Sequence, residues 1–167
     1  MKHAIALFVA LALGACGLRP LYGGGESGQV AATLRSVEVG PIPGRTGWLV
    51  HTKLVDRLGK RDGGGATYRI DIELDDDISG FGIRGDRATT RERRTLRARY
   101  RLVELRTGAV VLDATAGSDA GIDVVSSEFA TIAAEQTAAE RLSEVVADQI
   151  VARIGLFASR GGAAAPR

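Results

Sequence analysis

The 167-residue sequence predicts an α+β fold. It is a two-layer sandwich in which a four-stranded, mostly antiparallel sheet carries two helices on one face, in the order β-α-β-β-β-α. Three observations predict it. Residues 66–76 and 87–106 alternate apolar and polar side chains at the two-residue period of a half-buried strand. Residues 46–58 and 126–154 instead repeat apolar side chains at intervals of three and four. Clusters of glycine and proline punctuate the segments between. Each strand then has one apolar face and each helix one apolar stripe, so both helices cover the same side of one sheet and the other side stays polar.

In chain order, residues 31–39 read as the first strand, with Leu34, Val37 and Val39 apolar and a change of face between them. The turn cluster "GPIPGRTG" follows, then a helix with Trp48, Leu49, Thr52, Val55 and Leu58 as its stripe, closed by Gly59. The second strand sets Tyr68, Ile70, Ile72 and Leu74 inward and Arg69, Asp71, Glu73 and Asp75 outward. "DISGFGIRGD" reads as its connection to the third. That strand sets Leu96, Ala98, Tyr100 and Leu102 against Arg91, Arg93, Thr95, Arg97, Arg99 and Arg101. Gly108 suits a tight turn. "VVLDATAGSD" reads as the fourth strand, with Val110, Leu112 and Ala114 inward, followed by a looser segment at 120–125. Ser126 or Ser127 is placed to cap a long helix. Its stripe is Phe129, Ile132, Ala133, Leu142, Val145, Val146, Ile150 and Ile154, and Gly155 is its expected end. The domain organisation is a signal peptide at 1–15, a flexible tether at 16–30, one domain at 31–157 and a low-complexity, disordered tail at 158–167.

The first residues explain that division. Lys2 precedes about ten apolar residues, half of what a spanning helix needs, and small residues follow. That is the order of a secretory signal peptide. Leu13-Gly14-Ala15-Cys16 resembles the lipobox of bacterial lipoproteins, whose cysteine is acylated after cleavage; the other reading is an ordinary cleavage site beside a stray cysteine. Cys16 is the single cysteine of the chain, and acylation accounts for it. Each buried methylene contributes about 0.8 kcal/mol, so two or three acyl chains hold firmly. Gly17, rather than Asp, resembles the sorting signal for the outer membrane.

Catalytic chemistry has little to draw on. His3 falls in the signal peptide, and His51 has no second ligand at zinc spacing. There is no G-x-S-x-G elbow, and neither glycine-rich stretch ends in Lys-Ser/Thr. The Asp75-Asp76-Asp77 run lacks the glycine-centred calcium pattern. The expectation is a protein that is not an enzyme and holds no metal and no cofactor beyond covalent lipid on Cys16. One feature stands out: nine arginines against three acids between residues 84 and 106. Arg91, Arg93, Arg97, Arg99 and Arg101 line one strand face, a geometry suited to phosphate. They are candidate contacts for an anionic glycolipid. The competing reading pairs them with Asp71, Glu73 and Asp75 on one neighbour and Asp113 on the other. Nucleic acid is disfavoured by export and by the absence of interleaved aromatics, since Tyr100 faces the core.

"ACGLRPLYG", "IRGDRATTRERRTLRARYRLVE" and "TGAVVLDATAGSDAGIDVVSSEFATIAAEQTAAERL" resemble the lipopolysaccharide-assembly lipoproteins of the alphaproteobacterial LptE family. The resemblance implies a non-enzymatic plug, lipid-anchored on the periplasmic side of the outer membrane. Its implied partners are an LptD-type β-barrel, which it helps to assemble, and the lipopolysaccharide that the pair inserts into the outer leaflet. The alternative is an independent periplasmic lipoprotein binding an anionic glycolipid through the arginine face.

Overall fold

Gln29–Arg35 forms a short helix, α1, and Val37–Val39 a three-residue strand, β1. They come from a computed structural model that describes residues 28–59, 63–83 and 89–161. Residues 1–15, Cys16, the tether as far as residue 27, and residues 162–167 lie outside the described residues. The expected strand over 31–39 is therefore corrected. Ala31, Ala32 and Leu34 favour a helix, Leu34 seats it in the core, and Ser36 turns the chain. The change of face read from the sequence is the boundary between two elements.

Helix α2 (Gly44–Leu58) follows, then β2 (Tyr68–Ile83), β3 (Thr89–Glu104), β4 (Val110–Asp123) and α3 (Glu128–Ser159). The order is α-β-α-β-β-β-α, with three helices rather than two. The sheet runs β1-β2-β3-β4. β1 lies parallel to β2 through the α2 crossover, and the other pairs are antiparallel.

The strands are longer than their sequence signals. β2 and β3 are sixteen residues each, about 50 Å. The stretch read as a connection continues β2 to Ile83, because residues 77–81 pair with Thr95 to Arg91 across the ladder. The expected looser segment belongs to β4, with Ile122 buried. A register shift at Leu102 and Val103 pairs Val103 with Val110 and leaves Val110 exposed, against its expected inward place.

One core holds the layers together: Leu34, Val50, Leu54, Ile70, Leu96, Leu102, Leu142, Val146, Ile150 and Ile154 are all buried within it. The α2 stripe is rotated from expectation. Gly47, Val50, Leu54 and Leu58 face inward, while Trp48 is 64 % exposed and Val55 is exposed. Gly47 decides this: a Cβ there would lie 2.6 Å from the Ile42 carbonyl oxygen. In α3 the buried stripe runs from Ala138 to Ala158, so Gly155 lies inside the helix and not at its end. Phe129, Ile132 and Val145 are exposed. The first turns of α3 overhang the core.

Candidate interaction face of the sheet

The face of the sheet away from the helices carries the charge. Alternation sends odd-numbered residues of β2, β3 and β4 there, which makes an arginine column between two acidic ones. Asp71, Glu73 and Asp75 lie opposite Arg101, Arg99 and Arg97. On the other side Asp113, Asp119 and Asp123 lie opposite Arg101, Thr95 and Arg91.

The arginines lean mostly toward β4. Arg91 Nε is 3.3 Å from Asp123, Arg97 Nη2 is 3.0 Å from Asp119, and Arg99 Nη2 is 3.2 Å from Asp113. Toward β2, Arg101 reaches Glu73 at 3.6 Å, and Asp71 is taken by Arg69 of its own strand at 2.9 Å. Arg93 stacks over the Phe81 ring, 5.4 Å from its centre. Arg97 lies flat across Gly117, where a Cβ would come within 2.5 Å of its Cδ, and donates to the Ser118 carbonyl at 3.0 Å. The hydrogen bond from Thr95, with those from Arg97, holds the Asp119 carboxyl below its usual range. Arg99 is raised by its bond to Asp113. Of the acids that neutralise the row, the sequence reading named Glu73 and Asp113 and missed Asp119 and Asp123. Their shared odd parity with Asp113 was the available signal; Asp119 closed the expected fourth strand, and Asp123 was hidden in the segment read as looser.

On the helical side, one ion pair bolts four elements together. Arg94 of β3 donates from Nε and Nη2 to Asp76 of β2, at 2.8 and 2.6 Å. Its Nη1 donates to the Glu135 carbonyl of α3 at 3.0 Å, and Thr46 of α2 donates to the same Asp76 at 2.6 Å. The two charged side chains are 13 % and 21 % exposed. Burial opposes ionisation of Asp76, but the bonds from Arg94 and Thr46 together outweigh it and hold the carboxyl below its usual range. The Asp75-Asp76-Asp77 run is thus divided by strand alternation, with Asp76 inside and its neighbours outside. A second tie joins Arg57 of α2 to Glu144, at 2.9 Å, and to Asp148 of α3.

Beyond that bolt, Ile78, Phe81, Val125, Phe129 and Ile132 are exposed, Phe129 by 87 %. Periodicity alone does not separate Phe129 and Ile132 from the core stripe of their helix. His51 sits half-buried in α2. Among the described residues no group of three or more His, Cys, Asp or Glu side chains could hold a metal ion, and no described helix is long and apolar enough to cross a membrane. Cys16 lies outside the described residues.

The LptE family model, lipopolysaccharide-assembly, matches residues 34–154. The chain is similar in fold to a crystal structure described as a lipoprotein from Caulobacter crescentus CB15, with a TM-score of 0.65 and 24 % identity over 79 % of this chain and 98 % of that one. It is also similar to the rare lipoprotein B from Shewanella oneidensis, with a TM-score of 0.56 and 10 % identity over 76 % and 97 % of the two chains. A lipoprotein B from Nitrosomonas europaea gives 0.53 and 14 % over 75 % and 83 %. No curated protein matches. The chain belongs to the LptE family of outer-membrane-associated, lipopolysaccharide-assembly lipoproteins, and like that family it is not an enzyme.

Proposed function

We propose that this protein, of the alphaproteobacterial LptE type, is held by lipid on Cys16 to the periplasmic side of the outer membrane. There it plugs, and helps to assemble, an LptD-type β-barrel that inserts lipopolysaccharide into the outer leaflet. The observation that carries this reading is the outward sheet face. Arg91, Arg97, Arg99 and Arg101 each hold a carboxylate, so the face is densely polar yet nearly neutral. A barrel lumen is polar, and such a face packs into it with most of its arginines already paired.

The same pairing weighs against the alternative, capture of an anionic glycolipid by the isolated domain through Arg91, Arg93, Arg97, Arg99 and Arg101. Guanidinium groups already matched to acids offer little field to a phosphate. The two roles are separable. Solubilised outer membranes should yield the lipoprotein together with a large β-barrel; recovery of the lipoprotein alone contradicts the plug. Arg97→Glu with Arg99→Glu should leave lipopolysaccharide binding by the detergent-solubilised lipoprotein unchanged, whereas its abolition supports direct capture.

A further inference from the structure

The two edges of the sheet are treated differently. β4 is covered where it approaches α3. There the Gln149 side-chain amide accepts from the Gly117 N–H at 2.9 Å and donates to the Gly117 carbonyl at 3.3 Å. It stands in for a neighbouring strand. Among the described residues β2 has no such cover beyond its pairing with β1 at residues 68–70. The last β1 rung is the bond from the Gly40 N–H to the Ile70 carbonyl, and beyond it Pro41 and Pro43 have no N–H with which to continue.

Main-chain groups alternate sides along a strand. The Tyr68 N–H and Ile70 C=O point toward β1, so those of Asp76, Ile78 and Gly80 point the same way, into the open. Among the described residues no strand pairs with them. Residues 75–81 are all exposed. Asp76 is exposed as a residue although its side chain is 21 % exposed, because its main chain lies bare on the edge.

The side chains beside this edge select what pairs with it. Outward, Asp75 and Asp77 hold no ion pair or hydrogen bond among the described residues, since Arg97, opposite Asp75, and Thr95, opposite Asp77, both turn to Asp119 of β4. The acid-arginine-acid order of columns leaves the β2 acids in need of a cationic column on their open side. Pairing of residues 75–81 with the same segment of a second copy would bring no cation to either acid.

We propose that residues 75–81 of β2 are a strand-addition site for an extended segment of a partner polypeptide that places lysine or arginine at alternate positions, opposite Asp75 and Asp77. Main-chain bonds to Asp76, Ile78 and Gly80 supply the attachment and the acids supply the selection. Strand addition here is independent of whether a barrel surrounds the domain.

The test uses the full-length lipoprotein in detergent micelles and two synthetic peptides of about nine residues, a normal strand length. One alternates lysine with threonine, the other glutamate with threonine. The lysine peptide should bind and slow amide exchange at Asp76, Ile78 and Gly80. Asp75→Lys with Asp77→Lys should weaken it about tenfold, the loss of two cross-strand ion pairs, and should reverse the preference between peptides. Ile78→Pro removes one edge donor while sparing the β3 ladder, and should abolish binding by both. Equal binding of the two peptides, no binding, or slowing at β4 instead of β2 overturns the proposal. So does slowing that appears without peptide and grows with protein concentration, since the occupant is then a second copy. The lysine pair, at two exposed positions, keeps the test decisive if the proline variant does not fold.

Discussion

The half of the sheet nearest α1 and the half nearest the β2–β3 hairpin end are built from the same three long strands, yet they are finished differently. In the first, Ile70, Leu96, Leu102 and Tyr100 are sealed beneath α2 and the second half of α3. In the second, α3 reaches over, Ile78, Phe129 and Ile132 are exposed, and among the described residues β2 has no neighbouring strand on its outer side there. The strands run on beyond what the core needs, and the Arg94–Asp76 bolt marks the border.

Six substitutions sharpen this contrast, each read by urea unfolding. The largest effect belongs to the core. Ile150→Ala should cost about 3–4 kcal/mol, against a few tenths of a kcal/mol for Ile132→Ala eighteen residues earlier on the same helix. Equal losses would mean that the overhang is packed like the core. Next comes the border. Arg94→Ala strands the Asp76 carboxylate and should cost about 2 kcal/mol, below the figure for a fully buried pair because both groups retain some solvent.

The bolt also sets a pH dependence. Asp76 is held below its unfolded value, so its contribution is complete above a pH of about 4 and is lost as pH falls through the folded value. Asp76→Asn should therefore lose less stability than the wild type between pH 5 and pH 2; identical losses would remove Asp76 from the account of acid sensitivity. A smaller effect follows from Gly117. Gly117→Val drives a side chain into Arg97 and the Leu96 carbonyl and should cost about 1.5 kcal/mol, while freeing Asp119 to titrate closer to an ordinary carboxylate. Smallest is Ser143→Ala. The Ser143 hydroxyl is fully buried without a hydrogen-bond partner among the described residues, so its removal should stabilise the protein by about 1 kcal/mol.

Much of the sandwich was legible in the sequence because half-buried strands write their faces into strict alternation. The inward set from Tyr68 to Leu74 and the arginine row of β3 stand where that pattern puts them. What misled was local composition. Gly80 and Gly82 look like a turn, but cross-strand pairing and the Phe81–Arg93 stack carry the strand through. Residues 29–35 are too few for a helical period to show, so a single inward leucine read as strand. The α2 stripe had two solutions, and only the close approach of Gly47 to Ile42, a tertiary fact, selects one. Nor does a repeat of apolar residues say where a long helix leaves its core. Phe129 and Ile150 share the pattern and differ in what lies beneath them.

Amide hydrogen exchange, compared between the lipoprotein alone in micelles and the lipoprotein recovered with the proposed barrel partner, tests the division most directly. Amides of residues 96–102 should be slow in both states, while those of Asp76, Ile78 and Gly80 and of the first turns of α3 should be fast alone and slow in the complex. Slowing confined to the already sealed half, or none at residues 75–81, would contradict it.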